Sequence, residues 1–401
     1  MADGQTFNYE KLFARNVPDP APMRVIERAK YDFAIAYPDP SSIPTEALAQ
    51  CIAQALAEEG KDLAVYPHEQ GYPPLREYVT MKLARDRGIE TSSDNVFLAD
   101  GSSQPNHMLI EALVDPGDVV LTEDFVYSGT LRTLSRFRAD VRGIACDDDG
   151  MLPNALDYAI AAATADGKHP KLIYTIPTFQ NPQGLTMSLE RRQAMLDIAS
   201  RHGIAIIEDD CYVDLRYSGE NVPSIMSLDN DGIVNYVGSF SKITGPGMRI
   251  GYLTASDEMM ERLRPIKSGG GVNQFAAWAI HRYALKYLDD HIREVNDIQR
   301  IKRDAMLAAL GENFGSSAKW SQPDGALYIW FEMPEHTDLF EAQEAASHAE
   351  VGYQAGPIFT QDGVSGKNYA RLCYGYNTPY EIREGIGRLA EVFDKKGFLG
   401  K

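Results

Sequence analysis

The sequence predicts an α/β protein: a mostly parallel central sheet with helices on both faces, and a smaller α/β domain beside it. Two observations lead there. Short β-rich runs at 118–122, 171–175, 204–208, 233–239 and 249–253 alternate with helical patterns such as 105–113 and 189–202. Strands that alternate with helices need crossovers, and crossovers give a buried, mostly parallel sheet. Just after most of these runs the sequence turns from apolar residues to glycine, hydroxyl, amide, carboxylate and lysine residues. Ligands bind beyond the carboxyl ends of the strands in such sheets.

The elements follow in order. Residues 1–45 hold Pro18, Pro20, Pro22, Pro38, Pro40 and Pro44 and read as an extended arm that joins part of the small domain. A helix begins at Thr45, with a Thr or Ser cap and Glu46 in its first turn. The large domain is expected over 46–290. From Leu285 a long charged helix runs to about Asn313. Shorter strands near 326–331 and 369–374, with helices around them, predict the second, smaller domain over 291–401. No internal repeat or low-complexity tract interrupts this order.

Composition bounds the function. With 401 residues, 44% of them hydrophobic and 24% charged, the chain can bury a large core. A net charge of −18 repels nucleic acid and anionic membranes, so neither is expected as a partner. Cys51, Cys146, Cys211 and Cys373 match no zinc or CxxC spacing and are too few to staple the fold. No apolar run approaches the roughly 20 residues of a membrane helix. Residues 1–16 show no apolar signal segment. The expected location is the cytoplasm.

The polar residues after the runs form a constellation. Gly101-Ser102-Ser103-Gln104-Pro105 opens a helix; glycine admits a ligand to the backbone, the hydroxyls donate, and a helix N-terminus favours an anion. A plain helix cap would use the same residues. Tyr127 follows the next run, where its ring can stack on a planar ligand or simply join the core. Asn181 lies between Pro177 and Gly184, in a turn that fixes its amide; Asn-Pro turns are also common without function. Glu208-Asp209-Asp210-Cys211-Tyr212 ends an apolar run. A carboxylate there is costly unless paired, and Asp209 suits a protonated ring nitrogen while Tyr212 suits a phenolic oxygen. No histidine is adjacent, which argues against a metal cluster, and no metal is expected. Ser239-Phe240-Ser241-Lys242, with Arg249 beyond it, offers an amine for an imine and donors for a phosphate. Arg371 stands as the one charge in a short apolar strand, with a fork that fits a carboxylate or an internal ion pair.

Taken together, these residues resemble the class I/II aminotransferases, fold-type I enzymes that depend on pyridoxal 5'-phosphate, and within them the 2-aminoadipate and kynurenine aminotransferase branch. The resemblance runs from Tyr31 to about Phe393. It rests on Ser239-Phe240-Ser241-Lys242 with Arg249, on Gln180-Asn181-Pro182-Gln183-Gly184, and on Asp209-Asp210-Cys211-Tyr212. Tyr66 with Gly71-Tyr72-Pro73-Pro74-Leu75-Arg76, and Asp324-Gly325-Ala326-Leu327-Tyr328-Ile329-Trp330, add to it. It implies that Lys242 carries the cofactor as an internal aldimine and later moves the Cα proton. It implies that Asp209 pairs with the pyridine nitrogen, Asn181 and Tyr212 hold the phenolic oxygen, and Tyr127 stacks on the ring. Ser102, Ser103, Ser239, Ser241 and Arg249 would hold the phosphate, joined by Tyr66 from the neighbouring subunit of a homodimer with shared sites. Arg371 would grip the substrate carboxylate.

Three departures concern the substrate more than the cofactor. Relatives usually read Gly-Gly where this chain has Ile35-Ala36, a stretch that approaches the substrate. Cys211 stands where Pro or Ala is usual, and Pro105-Asn106-His107 replaces an Ala-Leu helix start. His68 and His107 are polar outliers near the expected pocket, with a surface or interface role as the plainer reading. The function implied is transfer of an amino group between an L-amino acid and a 2-oxo acid. Two alternatives remain: a lyase or biosynthetic replacement or cyclisation enzyme using the same cofactor, and a non-catalytic aminotransferase-like regulator. The 30 residues before Tyr31 are too short for the DNA-binding segment that a regulator needs.

Overall fold

The computed structural model describes residues 7–14, 17–18, 28–267 and 270–399. The proline-rich arm is therefore described only in part, and Pro20 and Pro22 lie outside the described residues. Where the arm re-enters, strand β1 (Tyr31–Asp32) pairs in parallel with a strand more than 300 residues later in the chain. The expected helix runs over Thr45–Glu59, but its N-cap is Pro44 and no side chain caps it. The hydroxyl cap expected there is thus absent; the capping position falls one residue earlier, on a proline.

The central sheet collects seven strands. They are β2 (Val96–Ala99), β3 (Val119–Glu123), β4 (Asp140–Ile144) and, after a small ribbon of β5 (Cys146–Asp147) and β6 (Gly150–Met151), β7 (Pro170–Thr175), β8 (Ala205–Asp209), β9 (Val234–Ser239) and β10 (Gly251–Thr254). Their order is β2-β10-β9-β8-β7-β3-β4. Every pairing from β9 through β4 is parallel. β10 alone runs antiparallel, between β2 and β9. Strands β2, β3 and β10 are buried at every position, as expected for strands covered on both faces.

The helices punctuate themselves by familiar chemistry. Leu189–His202 starts on Ser188, whose hydroxyl accepts from the Arg191 N–H, and ends on Gly203 at φ 62°. The long helix begins at Gln274, eleven residues before its expected start, and runs to Phe314. Asn273 caps it by accepting from the Ala276 N–H.

Five more strands follow: β11 (Lys319–Trp320), β12 (Tyr328–Glu332), β13 (Val351–Gly352), which pairs with β1 in a separate two-stranded sheet, β14 (Gln354–Ala355) and β15 (Tyr369–Cys373). Four of these form an antiparallel sheet in the order β11-β12-β15-β14. The last helix, Pro379–Lys395, opens with a capping box between Thr378 and Glu381 and covers this sheet. The long helix serves both cores. Its residues from Ala276 to Val295 pack with the first, and Ala305, Met306, Ala309, Leu310 and Phe314 pack with the second.

Candidate active site

The direction of β10 builds one wall of the site. Gly251, its first residue, stands in register with Ala99 at the end of β2 and Ser239 at the end of β9. An antiparallel strand therefore begins where its two neighbours finish, and three loops meet at one edge: Gly101-Ser102-Ser103, Ser239 to Lys242, and Arg249. The approach is close. A Cβ on Gly251 would lie 2.5 Å from the Gly101 carbonyl carbon, and a Cβ on Gly101 would lie 2.5 Å from the Arg249 guanidinium. Gly101 also holds φ at 69°, where side chains are strained. Arg249 sits at φ 52° and donates to the Asp100 carbonyl at 2.5 Å.

Around this edge lies a cavity of about 110 Å³. It is lined by Ser102, Ser103, Ser239, Ser241, Lys242, Pro246 and Arg249, together with Tyr127, Ile176, Asn181, Asp209, Cys211 and Tyr212. Of the side chains that the sequence placed at a cofactor, all but Tyr66 line this one cavity. Ser102 is the N-cap of the helix Ser103–Leu113 yet makes no side-chain cap. A plain capping role therefore does not account for it. The Ser239 hydroxyl accepts from the Ser241 N–H at 3.1 Å, and the Ser241 hydroxyl is buried with no partner.

Lys242 lies in the short helix Ser241–Thr244 directly after β9. Its Nζ donates to the Ala36 carbonyl at 3.0 Å and sits 5.4 Å from the Tyr212 ring. Burial lowers its pKa below the ordinary lysine value, and the Arg371 charge pushes the same way.

Asp209 ends β8 and is 2% exposed. Its Oδ2 accepts from Asn106 Nδ2 at 2.7 Å and from the Tyr174 hydroxyl at 2.8 Å, while Oδ1 is buried without a partner. Burial raises its pKa, and these two donors oppose the rise. Asp210 points away from the cavity, to Arg87 at 2.7 Å and the Tyr236 hydroxyl at 3.2 Å. Glu208 accepts from the backbone of Ile225 and Met226. The three adjacent acids thus do three separate jobs and form no cluster, and no metal-binding group occurs among the described residues.

A relay joins the other side. Arg371, on β15 of the small sheet, donates through Nη1 to Asn181 Oδ1 at 2.8 Å, and Asn181 Nδ2 donates to the Tyr212 oxygen at 3.1 Å. Asn181 precedes a cis peptide to Pro182. Arg371 also donates through Nη2 to the Ala34 carbonyl at 2.8 Å. The 34–36 stretch thus meets Arg371 and Lys242 through backbone carbonyls, and neither Ile35 nor Ala36 is among the side chains that line the cavity.

Other candidates lie elsewhere. His68 accepts from the Gln70 N–H within a turn, and His107 sits 3.7 Å from Glu111 on one helix face. Arg76 is buried and donates to the Ser93 carbonyl. Tyr66 is 95% exposed. Sequence reasoning missed Asn106 and Tyr174 as neighbours of Asp209. A polar residue between Pro105 and Met108 on an otherwise apolar helix face was the available signal for Asn106.

The lining combines hydroxyl donors at a helix N-terminus, a carboxylate with one unpartnered oxygen, and an amine. It suits a flat ligand with an anionic group at one end and a protonated nitrogen at the other. Comparison with known proteins agrees. The family model for aminotransferase class I and II matches residues 36–389. The chain is 32% identical to aromatic-amino-acid aminotransferase 1 of Thermococcus litoralis, over 98% of this chain and 97% of that one. Among solved structures, the multiple substrate aminotransferase of Thermococcus profundus superposes with a TM-score of 0.92 at 30% identity, covering 98% of this chain and 99% of the other. The kynurenine aminotransferase of Pyrococcus horikoshii, solved with PMP, gives 0.91 at 31% identity, over 97% and 98%.

Proposed function

The chain belongs to the class I and II aminotransferases, and on that premise we propose how its residues share the work. It is an enzyme that moves an amino group between an amino acid and a 2-oxo acid, with pyridoxal 5'-phosphate as cofactor. When bound, that cofactor supplies a conjugated ring able to accept the electron pair left when the donor's Cα loses its proton. Two orphaned buried atoms support the fit: Asp209 Oδ1 and Ser241 Oγ line the cavity and have no protein partner. A ring nitrogen and a phosphate are the groups such atoms need.

In this reading Lys242 anchors the cofactor and, as a free amine, takes and returns the Cα proton. Its lowered pKa suits a base that must lose its own proton near neutrality. Ser102, Ser103, Ser239, Ser241 and Arg249 hold the phosphate. Asp209 keeps the ring nitrogen protonated, Tyr127 stacks on the ring, and Asn181 with Tyr212 holds the phenolic oxygen. Arg371 orients the substrate carboxylate, and its bond to Asn181 ties that grip to the ring. The observation that carries the reading is Lys242 in the same cavity as Asp209 and the hydroxyl cup.

The donor we propose is an aromatic or large apolar L-amino acid. Among the described residues that line the cavity, the cations are Lys242 and Arg249, both already committed, so an acidic side chain meets no spare charge. Arg371 lies 5.0 Å from the Phe359 ring and 5.6 Å from the Tyr328 ring, an apolar flank for the substrate. The Thermococcus litoralis relative carries an aromatic-amino-acid name. We also propose a cytoplasmic homodimer in which Tyr66 reaches the partner's phosphate cup, and a division into 46–290 and 291–401, with the arm joining the second part. No helix among the described residues is long and apolar enough to cross a membrane.

Borohydride reduction followed by peptide mass analysis tests the core. The peptide holding Lys242 should gain the mass of the reduced cofactor, and Lys242→Ala should lose both that label and transamination. A label on another lysine, or wild-type turnover by Lys242→Ala, overturns the assignment. For the donor, kcat/KM for phenylalanine should exceed that for aspartate; the reverse order rejects an aromatic donor.

A further inference from the structure

The feature that the aminotransferase reading leaves unexplained is Asn106. It sits in the first turn of the helix Ser103–Leu113, 6% exposed, on the helix whose start supplies Ser102 and Ser103 to the cavity. Its Nδ2 donates to Asp209 Oδ2 at 2.7 Å, but its own Oδ1 is buried with no partner. A buried amide oxygen without a partner costs stability, so packing alone does not favour an asparagine here; an apolar side chain of similar size would be more stable. The amide orientation is fixed by chemistry, since turning it would set its oxygen against a carboxylate. The donor must therefore matter more than the lost acceptor.

What the donor does follows from which oxygen it takes. Tyr174, fully buried on β7, reaches the same Oδ2 at 2.8 Å. Two donors from two elements converge on one oxygen, and the other, Oδ1, has no partner. This sets the rotation of the carboxylate and leaves one acceptor for a ligand. It also stabilises the charged form of an acid that burial would otherwise neutralise. Hydrogen bonds to an ionised group are worth about twice those between neutral groups.

We propose that Asn106 is a positioning residue for the cofactor: with Tyr174 it holds Asp209 ionised and turned so that Oδ1 meets the protonated ring nitrogen. The inference rests on Asp209 facing that nitrogen, and the experiment separates the two claims. No proton or electron is transferred by Asn106 itself; its amide protons stay in place while Asp209 remains the acceptor.

The test uses holoenzyme reconstituted with cofactor labelled with nitrogen-15 in the ring, whose chemical shift reports ring protonation as pH is raised. Asn106→Leu keeps the bulk and removes the donor. Its ring nitrogen should lose its proton at lower pH than in wild type, and cofactor affinity should fall roughly tenfold, the effect of one charge-assisted hydrogen bond. Asn106→Asp supplies an independent arm. Its new carboxyl, raised in pKa by burial beside Asp209, donates while protonated and repels once ionised. Its cofactor affinity should therefore be near wild type at low pH and fall as pH rises, a pattern that a packing role would not produce. Asp209→Ala controls for the premise. If it leaves the ring titration unchanged, Asp209 does not face the nitrogen and both claims fail. If Asp209→Ala shifts the titration but Asn106→Leu follows wild type, Asn106 alone is overturned. Should Asn106→Leu fail to accumulate as folded protein, Asn106→Asp decides: a pH-independent affinity rejects the proposal.

Discussion

At Gly101 the backbone turns through φ 69° with the Arg249 guanidinium against the space that a Cβ would fill. Gly101→Ala combines a disfavoured backbone with a clash in the phosphate cup. It should cost about 1–3 kcal/mol in a denaturant titration and weaken cofactor binding as well. A second residue-scale expectation concerns pH. Lys242 must be neutral to accept the Cα proton, and burial lowers its pKa. Activity should therefore rise with pH through a limb that lies below the ordinary lysine range, as read from kcat against pH. A limb at the free lysine value would mean that the amine is solvated. Lys242 and Asp209 stood out as candidates because charged residues at the ends of apolar runs need a partner to be buried, and Arg371 because it is the one charge within an apolar strand. Asn106 did not, since an amide's role depends on the group it faces, and Asp209 lies 103 residues away in the chain.

At the scale of elements, the run at 249–253 was read as one more strand of a mostly parallel sheet. The strand forms over Gly251–Thr254 and runs antiparallel. Its connection from β9, residues 240–250, is shorter than the dozen or more residues a parallel crossover needs, so its direction was readable from spacing. That direction brings Arg249 to the edge where Lys242 lies. The loop after β7 depends on another buried group. Arg192 is fully buried and donates to the carbonyls of Met187, Pro177 and Pro223 and to the Thr178 hydroxyl. These bonds brace both flanks of the turn that carries Asn181. Arg192→Met leaves four acceptors and Glu208 without their donor. It should destabilise the fold by about 3–5 kcal/mol in urea unfolding. A loss below about 1 kcal/mol would show that the loop is held by other contacts. The early start of the long helix, at Gln274 rather than Leu285, reflects a segment rich in Ala and aromatic residues whose periodicity is hidden because most of it is buried.

Across the whole molecule, one continuous helix from Gln274 to Phe314 packs first against the core under the large sheet and then against that of the small one. Arg371 comes from the small sheet and Lys242 from the short helix after β9 of the large one, and the hydrogen bonds from Arg371 to Asn181 and on to Tyr212 join the two sides. The fold class was legible at this scale, because alternation of runs and helices dictates the sheet. Tyr66, together with Leu63 and Val65, is exposed beside the helix Thr45–Glu59. If it serves the partner's site, mixing Lys242→Ala with Tyr66→Ala chains should restore activity that neither homodimer has in full, to roughly a quarter of wild type for random pairing of a two-fold dimer. No gain on mixing would confine each site to one chain. The central claim, amino transfer rather than elimination, is tested most directly by giving the loaded enzyme an amino acid with no 2-oxo acid present. The expected result is release of about one equivalent of 2-oxo acid per subunit, no ammonia, and full recovery when a 2-oxo acid is added, as a two-stage covalent cycle requires. Continuous release of ammonia and oxo acid without an acceptor would contradict it.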